Sequence, residues 1–276
     1  MTQRNAQMMD LRSGELQRSH DAAFAWKTMT SVYQALPCLR GFWGMGAHMI
    51  QTIGTWVNNQ APQSHPNHDL EVIGSAYFGY TGMVPWVETL GTSGAANDGN
   101  LEITADPASY LNYQITGGES YIDDPGLTVG AWWQFDSATK LEGLMSKEDG
   151  VPQISWLMSK TGTSLVQFSV SGDGTATASA FSTNTVDATN WHLLIGRYDP
   201  STELVVFLNG VKGAPVAVGI PATLHNSTAN LQIGNDVTGF TQNSLKRVSM
   251  AFICASRLSD TICQAIWHHT RAIYGR

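Results

Sequence analysis

The stretch Trp191 to Gly210, WHLLIGRYDPSTELVVFLNG, decides the fold class. Its apolar residues recur at every second position. Trp191, Leu193 and Ile195 share one face of a strand, and Leu204, Val206 and Leu208 share one face of the next. Between them Asp199-Pro200-Ser201-Thr202 supplies turn chemistry, and Asn209-Gly210 favours a second tight hairpin because both residues tolerate positive φ. Two strands and two turns in twenty residues are β-sandwich sequence. Working outward, Gly126 to Phe135 (GLTVGAWWQF), Leu231 to Asp236 (LQIGND) and Ser249 to Arg257 are further largely apolar segments, the last followed by Leu258-Ser259-Asp260 and a short amphipathic stretch.

These segments, with their W-H, Y-D, N-G and I-G landmarks, resemble the LamG-like, concanavalin-type jelly rolls, a resemblance that implies a central strand over Gly126 to Phe135, another strand over Leu231 to Asp236, and a last strand over Ser249 to Arg257 with a capped helix after it. The likeness runs from Gly41 to Gly275 and is densest after Gly126. The fold class it predicts is all-β: a LamG-like jelly-roll β-sandwich with an N-terminal helical arm and a short C-terminal helix. The domains expected are residues 1–40 as the arm and 41–276 as the jelly roll. Such motifs identify a fold much better than a function.

Composition suits one large sandwich. The chain has 276 residues, 42% hydrophobic, enough for a sizeable core. Charged residues make up 13% and the formal charge is −7, so no counterion-release affinity for phosphates is available and nucleic acid is not an expected partner. Cys38, Cys254 and Cys263 are an odd number without C-x-x-C spacing and are read as free, mostly buried thiols. Between Ala47 and Gly126 the pattern is sparse: Leu70 to Ile73, Ser75 to Tyr80 and Tyr110 to Thr116 suggest short strands among turn-rich sequence.

The N-terminal residues carry no apolar run of signal-peptide length, and no stretch approaches the ~20 apolar residues of a membrane span, so neither export nor a membrane partner is expected. Ala22, Trp26, Met29, Tyr33 and Leu36 step by 4, 3, 4 and 3 along one helical seam that Pro37 stops. This seam is the expected anchor, either on its own sandwich or on another subunit. The run Tyr33 to Met45 (YQALPCLRGFWGM) is similar to structural proteins of tailed bacteriophages, a resemblance that implies a virion component, capsid decoration or tail and fibre. Assembly in a host cytoplasm would then reconcile an outward-facing fold with the lack of a signal peptide.

The chemistry that can be read is mostly negative. No strand carries the paired carboxylates, about 5–5.5 Å apart, of a retaining glycan hydrolase. Glu142 and Glu148 read as solvated residues flanking a turn, and Asp123-Asp124 precede Pro125. His65, His68 and Asp69 read as a surface turn, and His268-His269 as one buried and one exposed helix residue. Gly172-Asp173-Gly174 reads as a hairpin turn. No cofactor is expected, with a structural calcium on Asp236 and Asn235 the one metal candidate, since LamG-like folds often hold an ion at such a rim loop. Trp56, Trp86, Trp156 and Tyr80 are aromatics that could stack on sugar or belong to the core, two roles the sequence does not distinguish.

The expectation is therefore a non-enzymatic virion structural protein with an anchoring arm and a displayed jelly roll, a homo-oligomer whose partners are other virion proteins and a host-surface glycan. The alternative is a carbohydrate-binding lectin-type module without a virion.

Overall fold

The structure, a computed structural model, describes residues 38–43, 56–57, 70–73, 77–78, 101–103, 110–113, 126–135, 137–234 and 246–276. Its strands are β1 (Leu39–Trp43), β2 (Trp56–Val57), β3 (Leu70–Ile73), β4 (Tyr77–Phe78), β5 (Leu101–Ile103), β6 (Tyr110–Tyr113), β7 (Leu127–Phe135) and β8 (Glu142–Lys147). They continue as β9 (Trp156–Lys160), β10 (Val166–Ser171), β11 (Thr177–Phe181), β12 (His192–Asp199), β13 (Glu203–Leu208), β14 (Val211–Lys212), β15 (Leu231–Ile233) and β16 (Lys246–Cys254). Helix α1 (Asp260–Thr270) and a 3-10 turn (Arg271–Tyr274) close the chain.

Among the described residues all the strand pairs are antiparallel, and they make two sheets of eight described strands each. Sheet 1 runs β14-β13-β12-β7-β16-β5-β4, with β1 also paired to β16; sheet 2 runs β11-β10-β9-β8-β15-β6-β3-β2. The predicted all-β sandwich is present. The strands read from the sequence as β7, β12, β13, β15 and β16 are all in it. Trp56-Val57, which reads as turn, is instead an edge strand paired with Leu70 and Glu71.

One core lies between the sheets and includes Val129, Ala131 and Trp133 of β7, Phe168 and Val170 of β10, and Leu204, Val206 and Leu208 of β13. A second lies on the outer face of sheet 1 and includes Trp132, Trp191, Leu193, Ile195 and Phe207 beneath Cys263, Ile266 and Tyr274. The two apolar rows of the deciding hairpin thus face opposite ways, and β7 and β12 are buried on both faces. Strands covered on both sides need continuous apolar sequence, which GAWWQF and HLLIG supply.

Local chemistry fixes the elements. Asn209 (φ 53°) and Gly210 (φ 77°) form the two-residue turn between Leu208 and Val211 that the sequence predicts. Ser259 caps α1, its hydroxyl accepting from Ile262 N at 3.2 Å. In β16 the register slips between Ser249 and Phe252, with Met250 at φ 51°. The bulge lies where the neighbour of β16 changes from β5 at Val248 to β1 at Ala251.

Candidate functional site

The two faces of sheet 2 differ in chemistry. Trp156, Met158, Phe168, Val170 and Ala180 point into the core, so their neighbours Leu157, Ser159, Gln167, Ser169, Ser179 and Phe181 point away from sheet 1. On this outward face Gln167 Nε2 donates to Ser169 Oγ at 3.0 Å and to Ser179 Oγ at 3.1 Å, and the two hydroxyls lie 2.8 Å apart. The register carries the polar row from Ser169 through Leu157 and Ser146 to Gln232 and on to Asn112. Toward the middle the row is covered: Ser169 is 3% exposed, Ser146 is fully buried and Gln232 is 6% exposed. It opens at edge strand β11, where Thr177 is exposed and the Phe181 ring is 43% exposed.

At the start of β11 lies a recess of about 270 Å³ at the edge of the sandwich, lined by Val170, Gly172, Asp173, Thr177, Ala178, Pro221 and their neighbours; Val170 and Ala178 belong to the inward-facing set, and Thr177 is the residue shared with the outward row. That is slightly below the usual volume of a small-molecule pocket, about 300–1,000 Å³. Two distant segments build it. The hairpin packs so tightly on the 219–221 loop that a Cβ on Gly172 would lie 2.6 Å from Pro221 Cβ. Pro221 is held in place by its carbonyl, which accepts from Tyr198 Oη at 2.8 Å and from Ser201 N at 3.0 Å. Burial with the nearby Asp199 carboxylate pushes the Tyr198 hydroxyl up to about 12, so it remains a donor.

Asp173 supplies the charge. Its Oδ1 accepts from Thr175 N and Ala176 N, both at 2.8 Å, and from Ser171 Oγ at 3.1 Å. The two backbone donors hold the carboxyl well below the usual carboxylate range, so it is ionised at any physiological pH. None of these bonds uses Oδ2, which can accept from a ligand hydroxyl. The arrangement offers an anionic acceptor, a hydroxyl, a hydrogen-bonding ladder and an exposed ring in sequence along β11. It does not offer an acid paired with a nucleophile, because Asp173 cannot hold a proton and no second carboxylate lines the recess.

Glu142 and Glu148 depart from the reading as solvated loop residues. Glu142 opens β8 fully buried, its Oε1 3.5 Å from Lys160 Nζ, and Glu148 is 2% exposed. Strand rise separates them by about 20 Å, too far for a catalytic pair at about 5–9.5 Å. His268 and His269 are both exposed, a correction: α1 buries Cys263, Ile266 and Thr270, a face that excludes both. Trp156 is a core residue with no exposure. Trp86, Tyr80, His65, His68, Asp69 and the side chain of Trp56 lie outside the described residues.

The anchor seam Ala22, Trp26, Met29, Tyr33 and Leu36 and the calcium candidates Asn235 and Asp236 also lie outside them. Among the described residues no group of three or more His, Cys, Asp or Glu could hold a metal. No described helix is long and apolar enough to cross a membrane. Sequence reasoning saw Gly172-Asp173-Gly174 only as a turn. The alternation Thr177-Ala178-Ser179-Ala180-Phe181, polar or exposed outward and small inward, was the available signal for the face.

A family model described as the concanavalin A-like lectin/glucanases superfamily matches residues 108–246. Among solved structures the chain is similar to the botulinum neurotoxin serotype D binding domain, with 7% identity and a TM-score of 0.60 over 87% of this chain and 52% of that one. It is also similar to the receptor binding domain of the botulinum neurotoxin C/D mosaic serotype, with 8% identity and a TM-score of 0.57 over 84% and 51%. The chain therefore spans about half the length of these neighbours, and at such identity the likeness is one of fold. No curated protein matches the chain.

Proposed function

Since the chain belongs to the concanavalin A-like lectin/glucanases superfamily, we propose that it is a non-catalytic carbohydrate-binding module whose ligand lies along edge strand β11. The observation that carries this reading is that Thr177 belongs both to the Asp173 recess and to the outward row Thr177, Ser179 and Phe181. Asp173 Oδ2 and Thr177 Oγ1 would bind sugar hydroxyls in the recess. The part-exposed Gln167 and Ser179, braced by the buried Ser169, would bind further hydroxyls, and the Phe181 ring would cover an apolar sugar face. The solved neighbours are binding domains, which agrees with a binding role and identifies no ligand.

Screening the protein against an oligosaccharide array and measuring the best ligand by calorimetry tests the site. Phe181→Ala and Asp173→Asn are each expected to weaken binding about tenfold or more, equivalent to about 1.4 kcal/mol. Asn keeps the Oδ1 acceptor of the turn, so its loss of affinity reports the ligand and not the fold. Undiminished binding in both variants places the ligand elsewhere. Release of reducing ends from a polysaccharide would replace the binding reading with an enzymatic one.

The finer reading is that this module is displayed on a tailed-bacteriophage particle assembled in the host cytoplasm. Residues 1–40 would then seat the seam Ala22, Trp26, Met29, Tyr33 and Leu36 on capsid or tail subunits. Its support is the sequence: the seam, and the likeness of Tyr33 to Met45 to tailed-phage structural proteins.

A further inference from the structure

We propose that Cys38 and Cys254 form a reversible thiol–disulfide couple that locks the first strand of the sandwich onto β16. Cys38 immediately precedes β1, and its carbonyl accepts from Ala255 N at 2.9 Å, while Leu39 is the cross-strand partner of Cys254. Cys38 sits in a turn, outside the strict alternation of the strand, and its side chain packs on the apolar cluster that contains Cys254. Interaction with the Cys254 side chain, then with Ser256 and the Arg40 charge, draws the Cys38 thiol below its ordinary range against the opposing effect of partial burial. The neighbouring Cys38 and burial push the Cys254 thiol up.

The two sulfurs are thus unlike in the way a thiol couple requires. Cys38 is half-buried, reachable and the better nucleophile; Cys254 is fully buried and reacts only with a neighbour. Glutathione disulfide is a sufficient oxidant. The Cys38 thiolate attacks one of its sulfurs, the glutathione S–S bond breaks, and one glutathione thiolate leaves. Cys254 gives its proton to that thiolate and attacks the Cys38 sulfur of the mixed disulfide. The second glutathione leaves as a thiolate and takes a proton from solvent. Two electrons pass from the protein to glutathione. Among the described residues β1 pairs with β16 alone.

The third thiol discriminates. Cys263 lies in α1, fully buried, and burial raises it to about 12, so it is the thiol expected to stay reduced. The full chain is equilibrated with glutathione disulfide or with dithiothreitol, quenched in acid, alkylated under denaturing conditions and mapped by peptide mass spectrometry. The expected result is a fall from three alkylatable thiols to one, Cys263, with the Cys38 and Cys254 peptides joined; Cys38→Ser should abolish the cross-link. Three thiols remaining, Cys38 stopping as a glutathione adduct, or a bond that includes Cys263 would each overturn the proposal. Mapping of the unmutated chain decides it even if the serine variant does not fold.

Discussion

His192 shows how one burial decision sets pH behaviour. It is 2% exposed, its Nδ1 accepts from Asn209 Nδ2 at 3.0 Å, and the Asn209 amide is oriented by Leu193 N, which donates to its Oδ1. Burial lowers the imidazole pKa and Arg276 adds to this, while the Asp187 carboxylate 3.5 Å from Nε2 opposes without reversing it. A folded value below the unfolded one means that the unfolded chain binds the proton more readily. The contribution to stability is therefore complete above the unfolded value of about 6.5 and is lost as pH falls through the folded one. The urea midpoint should drop between about pH 7.5 and pH 5, and His192→Gln should flatten that part of the profile; an equal slope in both proteins would refute the assignment. Gly210, the other half of the Asn209 turn, has φ 77°, and a Cβ there would lie 2.7 Å from the Trp267 ring. Gly210→Ala is expected to cost about 1–3 kcal/mol in chemical denaturation, from backbone strain plus displacement of the ring.

At the scale of elements the helix is what the second core depends on. Trp132 of β7 stacks on Tyr274 at 4.0 Å and on Trp267 at 5.3 Å, and its Nε1 donates to Thr270 Oγ1 at 3.1 Å. At the other end Arg197 of β12, fully buried, donates to Leu258 O at 3.0 Å and to the carboxylates of Asp260 and Glu203, with its guanidinium 5.2 Å over the Phe207 ring. The two sides of this network are unequal. Asp260 is 44% exposed and keeps Lys212 at 3.0 Å, so Asp260→Asn should cost no more than about 1 kcal/mol. Arg197→Met removes the buried centre and leaves Glu203, 15% exposed, short of its nearest cation, which should cost about 3–5 kcal/mol. Thermal and denaturant unfolding of both variants would rank them, and equal losses would show that the buried guanidinium is not the centre. The β12–β13 hairpin, the Asn-Gly turn from β13 to β14 and the Ser259 cap were legible because each is written in neighbouring residues. Arg197 and Glu142 were not, since a charge in a strand reads as solvated until a distant partner is known: Asp260 for the first, Lys160 for the second.

For the whole molecule, the two halves of the candidate site illustrate what sequence can and cannot carry. The outward row of β11 repeats every two residues and could have been read, whereas the recess exists only because Pro221 is brought onto Gly172 by bonds from Tyr198 and Ser201. The seam from Ala22 to Leu36 poses the opposite problem, a local signal whose partner is unstated. Two heptads are too short to hold a coiled coil alone, so the seam needs a surface, supplied by its own sandwich or by another subunit. Leu39 is fully buried in the core beneath α1, so a shortened chain must keep β1 and should begin at Cys38. Light scattering of the full chain is expected to give a defined oligomer, and the chain from Cys38 a monomer with the same unfolding midpoint. Two monomers, with a lower midpoint for the shorter chain, would make the seam a brace on its own sandwich. Display on a particle would then lose its physical support, while the β11 site, built wholly from residues after Glu142, would stand or fall on its own binding data.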